Sequence, residues 1–114
     1  MLEIRQGEDK NAKVTSCALE NKDPLCSATL RLFCEIYGAE AGNLALKSMA
    51  LGGVYIGGGI APKILPFLQD GSFLKAFLQK GRFEAMLKTM KVRVSLNQQT
   101  ALLGALHYAA DKLR

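Results

Sequence analysis

The chain has 114 residues, 49% of them apolar, and its 15 Lys and Arg outnumber 10 Asp and Glu for a net charge of +5. That size suits one modest domain with a packed core, and no run of 18 apolar residues offers a membrane span. Charge enters Met1-Leu2-Glu3-Ile4-Arg5 too early for a secretory signal, and Cys17, Cys26 and Cys34 lack C-x-x-C spacing, so free thiols in a reducing, cytoplasmic compartment are expected rather than a disulfide frame or zinc site.

Residues 1–22 read as a poorly ordered or helical lead-in, with a helix over Ala12–Leu19. Asp23-Pro24 is a strong helix opening, with Asp23 as cap and Pro24 in the first turn. A long helix is predicted from Pro24 to about Ala50. Leu30, Phe33, Cys34, Tyr37, Ala41, Leu44 and Ala45 form its apolar stripe. Gly38 and Gly42 each cost about 1 kcal/mol relative to alanine in a helix interior, so their four-residue spacing predicts another backbone approaching that face. Asn43 beside them is a candidate polar contact to a ligand or loop; a solvated or locally bonded amide is the plainer alternative.

Val54-Tyr55-Ile56 carries no polar alternation and predicts a short strand buried on both faces, as in parallel sheets. Gly57-Gly58-Gly59 follows, then Ile60-Ala61-Pro62, with Pro62 expected at the first position of a helix over 62–69. A glycine turn between strand and helix lies where open α/β sheets bind ligands, and its glycines admit a close backbone or nucleotide. Neither common phosphate-loop pattern fits: no Gly-Lys-Ser/Thr follows, and Pro62 occupies the position a dinucleotide fingerprint gives to glycine. The alternative is a turn that merely packs helix on strand.

Downstream, Ser72 is a plausible cap for a helix to Gln79, Lys80-Gly81-Arg82 is a turn, and Phe83–Met90 reads as another short helix. Val92–Leu96 alternates as a second strand, and a last helix runs to about Leu113 with Leu102, Ala105, Leu106, Ala109 and Leu113 as its stripe. From Lys63 onward nine Lys and Arg face only Asp70, Glu84 and Asp111. The charges are dispersed and few aromatics accompany them, so a solvated basic face is expected and no nucleic-acid partner. His107 reads as a surface residue of the last helix, Asp70 as turn chemistry and Asp111 as a surface charge. A strand as apolar as Val54–Ile56 wants neighbours on both edges, and only one further strand is available. The chain therefore reads as part of a larger sheet domain, prone to self-association through strand edges or exchanged helices.

Several segments, in order and at consistent spacing over roughly residues 20–110, carry a resemblance. They are Leu32-Phe33-Cys34-Glu35-Ile36-Tyr37-Gly38, Gly42-Asn43-Leu44-Ala45-Leu46, Gly52 through Pro62, Phe73, Lys80-Gly81-Arg82-Phe83 and Leu102-Leu103-Gly104-Ala105. Together they resemble the carboxyl-terminal segment of bacterial-type glucokinases, in the hexokinase and actin-like ATPase superfamily. The resemblance implies an α/β fold: a partial carboxyl-terminal lobe of the actin-like ATPase (ribonuclease H-like) type, with about two parallel strands and flanking helices. Residues 23–114 would be the carboxyl-terminal part of the large domain.

It further implies that the glycine turn is the adenosine motif, with Gly57, Gly58 and Gly59 beside the nucleotide, Ile60 near it, and Asn43 flanking the cleft. The implied reaction is transfer of the γ-phosphoryl of ATP to the 6-hydroxyl of glucose, the first step of glycolysis, with Mg²⁺ bridging the phosphates. Glucose and ATP are the partners so implied, together with an amino-terminal part that supplies the rest. The family's Asp-x-Gly-Gly-Thr phosphate loop, its Asn-Asp base motif and its sugar-binding Glu and His residues have no counterpart here. No catalytic or metal-binding residue is therefore nominated, and the chain alone is expected to be inactive. A non-catalytic interaction or regulatory module of the same ancestry is the alternative.

Overall fold

The computed structural model describes Gly7 and residues 9–114. Its element order is α1 (Lys10–Leu19), α2 (Pro24–Ser48), β1 (Val54–Ile56), α3 (Ile60–Lys63), α4 (Leu65–Leu68), α5 (Ser72–Leu78), α6 (Glu84–Leu87), β2 (Val92–Val94) and α7 (Thr100–Lys112), with a short 3₁₀ turn at Gly81–Phe83 before α6. It is an α/β arrangement with two parallel strands and flanking helices.

The long helix α2 is the frame. Asp23 caps it by accepting a hydrogen bond from the Leu25 N–H at 2.8 Å, and Pro24 occupies the first turn. The helix stops at Ser48, two residues short of the expected end. Met49 turns left-handed (φ 49°), and the Ala50 N–H reaches back to the Ala45 carbonyl. Leu30, Cys34, Ala41 and Ala45 are buried as expected, and Tyr37 is half-buried. Phe33 and Leu44 correct the predicted stripe: both lie on the exposed side, at 41% and 56% exposure. The inward face of α2 is narrower because it meets α5 at backbone distance.

That approach runs through the two glycines. A Cβ built on Gly38 would stand 2.2 Å from the Phe73 carbonyl oxygen, and one on Gly42 would stand 2.6 Å from that of Phe77. No side chain fits there, so glycine is required by the crossing rather than by its own dihedrals. The close approach seats Phe73 and Phe77 against α2. Tyr37 meets the Phe73 ring edge-on at 5.6 Å, and Phe77, Ile64, Leu87 and Cys34 complete the most deeply buried part of the core.

The segment after β1 departs from the single predicted helix over 62–69. Helix α3 starts at Ile60, which places Pro62 third rather than first, and the segment breaks at Ile64 into two short helices. Pro66 explains the break, since it has no N–H for the next helical hydrogen bond. The Phe67 N–H turns instead to the Ile64 carbonyl at 2.9 Å. Ser72 is the first residue of α5 and not its cap. Gly71 occupies the cap position, and Asp70 does the polar work by accepting from the Ser72 N–H at 2.8 Å and its hydroxyl at 2.6 Å. Arg31 of α2 reaches the other Asp70 oxygen at 3.2 Å and so ties the start of α5 to α2. The helix expected over 83–90 contracts to Glu84–Leu87.

The strands pair in parallel register, Val54 with Val92, Tyr55 with Arg93 and Ile56 with Val94. β2 ends at Val94, two residues earlier than predicted. Val54, Ile56, Val92 and Val94 join the core, whereas Tyr55 is 69% exposed, so the strand is buried on one face only. On the open face Arg93 lies 5.7 Å from the Tyr55 ring centre. Helix α7 carries no buried residue, so its expected apolar stripe (Leu102, Ala105, Leu106, Ala109, Leu113) is exposed. At the other end α1 buries Cys17 and Ala18 against α2. The predicted lead-in over 1–22 includes residues 1–6 and 8, which lie outside the described residues. No described helix is long and apolar enough to cross a membrane.

The crossing yields the first prediction. Gly38→Ala and Gly42→Ala force α5 away from α2 and each lower stability by about 2–3 kcal/mol, whereas Gly57→Ala, which points into open space, stays within about 0.5 kcal/mol. Urea unfolding midpoints of the three variants check this. A second prediction concerns acid. Burial pushes the Asp70 carboxyl up, but its bonds to the Ser72 hydroxyl and N–H and to Arg31 outweigh this and hold it below its ordinary value. Because the folded value is depressed, the stabilisation is complete above the unfolded carboxyl value and is lost as pH falls below about 4. The stability gap between the native chain and Asp70→Asn, followed by urea midpoints, therefore closes over that acid range.

Candidate functional site

Parallel pairing brings the carboxyl ends of β1 and β2 to one edge of the sheet. The Ser95 N–H donates to the Ile56 carbonyl at 2.8 Å, so the chain leaving β2 is fastened beside the residue that precedes the glycine turn. Gly57, Gly58, Gly59 and Ile60 then run across this edge, all exposed. Gly58 has φ 97°, a left-handed conformation that side chains rarely adopt, and it turns the chain from strand into α3. No atom lies within 4 Å of a Cβ built on Gly57, Gly58 or Gly59. These glycines therefore do not serve a close helix–strand contact inside the chain, unlike Gly38 and Gly42. They leave a side-chain-free surface on which an outside group can reach the backbone.

The four contiguous candidates thus form one surface. Asn43 is exposed on α2 next to the buried Gly42, and among the described residues no hydrogen bond joins its amide to the turn. The other wall of the edge is the polar turn that leads from β2 into α7. The Ser95 and Thr100 hydroxyls are 2.6 Å apart, the Thr100 hydroxyl donates to the Asn97 carbonyl at 2.6 Å, and the Asn97 side chain accepts from the Gln99 N–H at 2.9 Å. The Asn-x-x-Thr spacing after a strand was the available signal, since Asn and Thr at such positions bond their own turn. Beside the edge opens an apolar groove of about 460 Å³, lined by Ile56, Val94, Leu96, Leu65, Leu68 and Phe73 among others.

Ionisable chemistry at this edge is sparse. No group of three His, Cys, Asp or Glu among the described residues could hold a metal ion. His107 is exposed on α7 and Asp70 is engaged in its turn, as expected for both. The arrangement is suited to holding a ligand by shape and backbone.

Comparison with known proteins agrees with this architecture. The family model "Glucokinase" matches residues 2–112. A glucokinase from Nostoc punctiforme is 53% identical over 102 residues, covering 90% of this chain and 30% of that protein. A glucokinase from Synechocystis sp. is 49% identical over 103 residues, and one from Photorhabdus laumondii is 41% identical over 114 residues, 99% of this chain and 36% of that protein. Among solved structures, the crystal structure of a glucokinase from an Antarctic psychrotroph superposes with a TM-score of 0.78 at 34% identity, covering 90% of this chain and 32% of that one. The chain belongs to the glucokinase family and spans 29–36% of the length of these relatives.

Proposed function

We propose that this chain is the carboxyl-terminal segment of an ATP-dependent glucokinase and forms part of its adenosine pocket. The observation that carries the reading is the side-chain-free surface of Gly57–Gly59 at the carboxyl edge of a parallel sheet. In this reading the adenosine of ATP lies against Gly57, Gly58 and Gly59, Ile60 supplies an apolar contact, and Asn43 flanks the cleft from α2. The reaction served is transfer of the γ-phosphoryl of ATP to the 6-hydroxyl of glucose, the entry to glycolysis, in the cytoplasm.

The segment's own contribution is positioning. A fixed adenosine sets the direction of the phosphate chain, and phosphoryl transfer depends on positioning and charge stabilisation more than on covalent help. Mg²⁺ does not fit the described residues, for no carboxylate cluster stands among them, so it belongs with the phosphates and with groups outside this segment. The same holds for the catalytic base and the sugar-binding residues. The segment alone is inactive and requires the amino-terminal part of the enzyme, with residues 23–114 forming the end of the large domain. In isolation it self-associates, because among the described residues β1 and β2 each present one unpaired edge and α7 presents apolar residues to solvent.

Two measurements test the reading. A coupled assay for glucose 6-phosphate gives no signal with this chain alone and activity when the amino-terminal two-thirds of a relative is added. Activity of the chain by itself refutes the assignment of base and phosphate loop to other segments, and silence on mixing favours a non-catalytic module. Gly59→Val introduces a side chain into open space without backbone strain (φ −83°) and weakens ADP binding about tenfold or more by calorimetry. Unchanged affinity removes the turn from the nucleotide site.

A further inference from the structure

Helix α2 carries apolar residues on two opposite sides. Leu30, Cys34, Ala41 and Ala45 face the core, which they share with the inward side chains of β1 and β2. Leu25, Leu32 and Ile36 recur at intervals of seven and four residues on the side turned away from that core, and they are 73%, 56% and 62% exposed. Between α2 and α5 this outer side opens into a groove of about 360 Å³, with Leu32, Ile36 and Ala39 on one wall and Ala76 on the other. The backbone crossing at Gly38 and Gly42 holds the two walls in fixed relation, so the surface is formed before any partner arrives. The sheet lies on the core side of α2. Its unpaired strand edges and its open Tyr55 face mark where the rest of a larger sheet domain attaches, and that attachment leaves the outer side of α2 and α5 uncovered.

Each wall also carries one charge, and the two are of opposite sign. Glu35 stands on α2 and Lys75 on α5, both exposed, and neither forms an ion pair among the described residues. A partner of a single charge would match one of them and oppose the other. A second copy of this chain, turned about a two-fold axis, brings its Lys75 to Glu35 and its Glu35 to Lys75. The shapes complement themselves in the same way. Leu32 and Ile36 stand out beside the hollow that the small side chains of Ala39 and Ala76 leave, so the ridge of one copy seats in the hollow of the other.

We propose that the groove between α2 and α5 is the seat of a symmetric dimer of this chain, closed by Leu32 and Ile36 at its centre and by two reciprocal Glu35–Lys75 ion pairs at its rim. The aliphatic side chains supply the affinity, since their exposed area leaves water on pairing, and the charges fix the register and the two-fold arrangement. This interface is distinct from association through strand edges or α7. None of its residues belongs to the glycine turn, so it stands independently of the nucleotide pocket proposed above.

Sedimentation equilibrium of the whole chain tests the pairing. Glu35→Lys sets two like-charged contacts in each dimer, and so does Lys75→Glu, so each variant alone dimerises about tenfold or more weakly than the native chain. Mixed in equal amounts, the two variants regain the native dimer constant, because every rim contact of the mixed dimer again joins opposite charges. A contact within one chain is not repaired by mixing. Ile36→Asp abolishes the dimer at concentrations where the native chain is paired and leaves the urea unfolding midpoint unchanged, since Ile36 is exposed. Leu106→Asp, on α7, leaves the dimer constant as it was. A native chain that stays monomeric, a dimer indifferent to Ile36→Asp, or a mixture no tighter than its components would each overturn the inference. If the native chain is monomeric and Ile36→Asp no longer complements the amino-terminal two-thirds of a relative, the face belongs to that part instead.

Discussion

The contact on which the rest of the structure depends is the backbone crossing of α2 and α5. Gly38 and Gly42 lie one helical turn apart on one face, and the carbonyls of Phe73 and Phe77 occupy the space that two Cβ atoms would need. This approach places both phenylalanine rings in the core. Around them gather Ile64 from the short helices, Leu87 from α6 and Cys34 from α2 itself. If α5 stood farther off, these side chains would leave voids that a protein interior does not tolerate. The two glycines sacrifice helix propensity locally, and close packing across the interface offsets that loss.

Polar groups specify where each element begins. Asp23 and Asp9 accept from the first N–H groups of α2 and α1, and Asp70 does the same for α5 while also holding Arg31. These bonds are individually modest and mostly exposed, so their value is in fixing register more than in total energy. Pro66 acts in the opposite sense: by withholding one N–H it divides the segment after the glycine turn into two short helices, and it lets Ile64 and Leu68 both reach the core.

The exposed apolar surface has a different meaning. Leu25, Leu32, Ile36, Tyr55 and all of α7 lie open, although each belongs to a well-formed helix or strand. A helix that is apolar on several sides, as α2 is, and a two-stranded sheet with one bare face are the signs of a unit that normally has neighbours. The relatives it resembles are about three times as long. The glycine turn sits within this open setting at the carboxyl edge, where backbone and not side chains would meet a ligand.

Much of this was legible in the amino-acid order. Asp23-Pro24 marked the start of α2, the Gly38 and Gly42 spacing marked a backbone approach, and the apolar triplet followed by three glycines marked a strand and turn. Each is a local signal, because caps, helix breakers and glycine requirements act within a few residues. The ordered motifs also carried the family resemblance. What local signals do not contain is which partner each face meets. Only the folded chain showed that α5 is what approaches Gly38, that Phe33, Leu44, Tyr55 and the α7 stripe face outward, and that Ser95 and Thr100 border the glycine turn. The physical reason is that burial is a property of pairs of surfaces brought together from distant positions. An apolar stripe announces that it wants a partner, but the tertiary structure decides whether this chain supplies one.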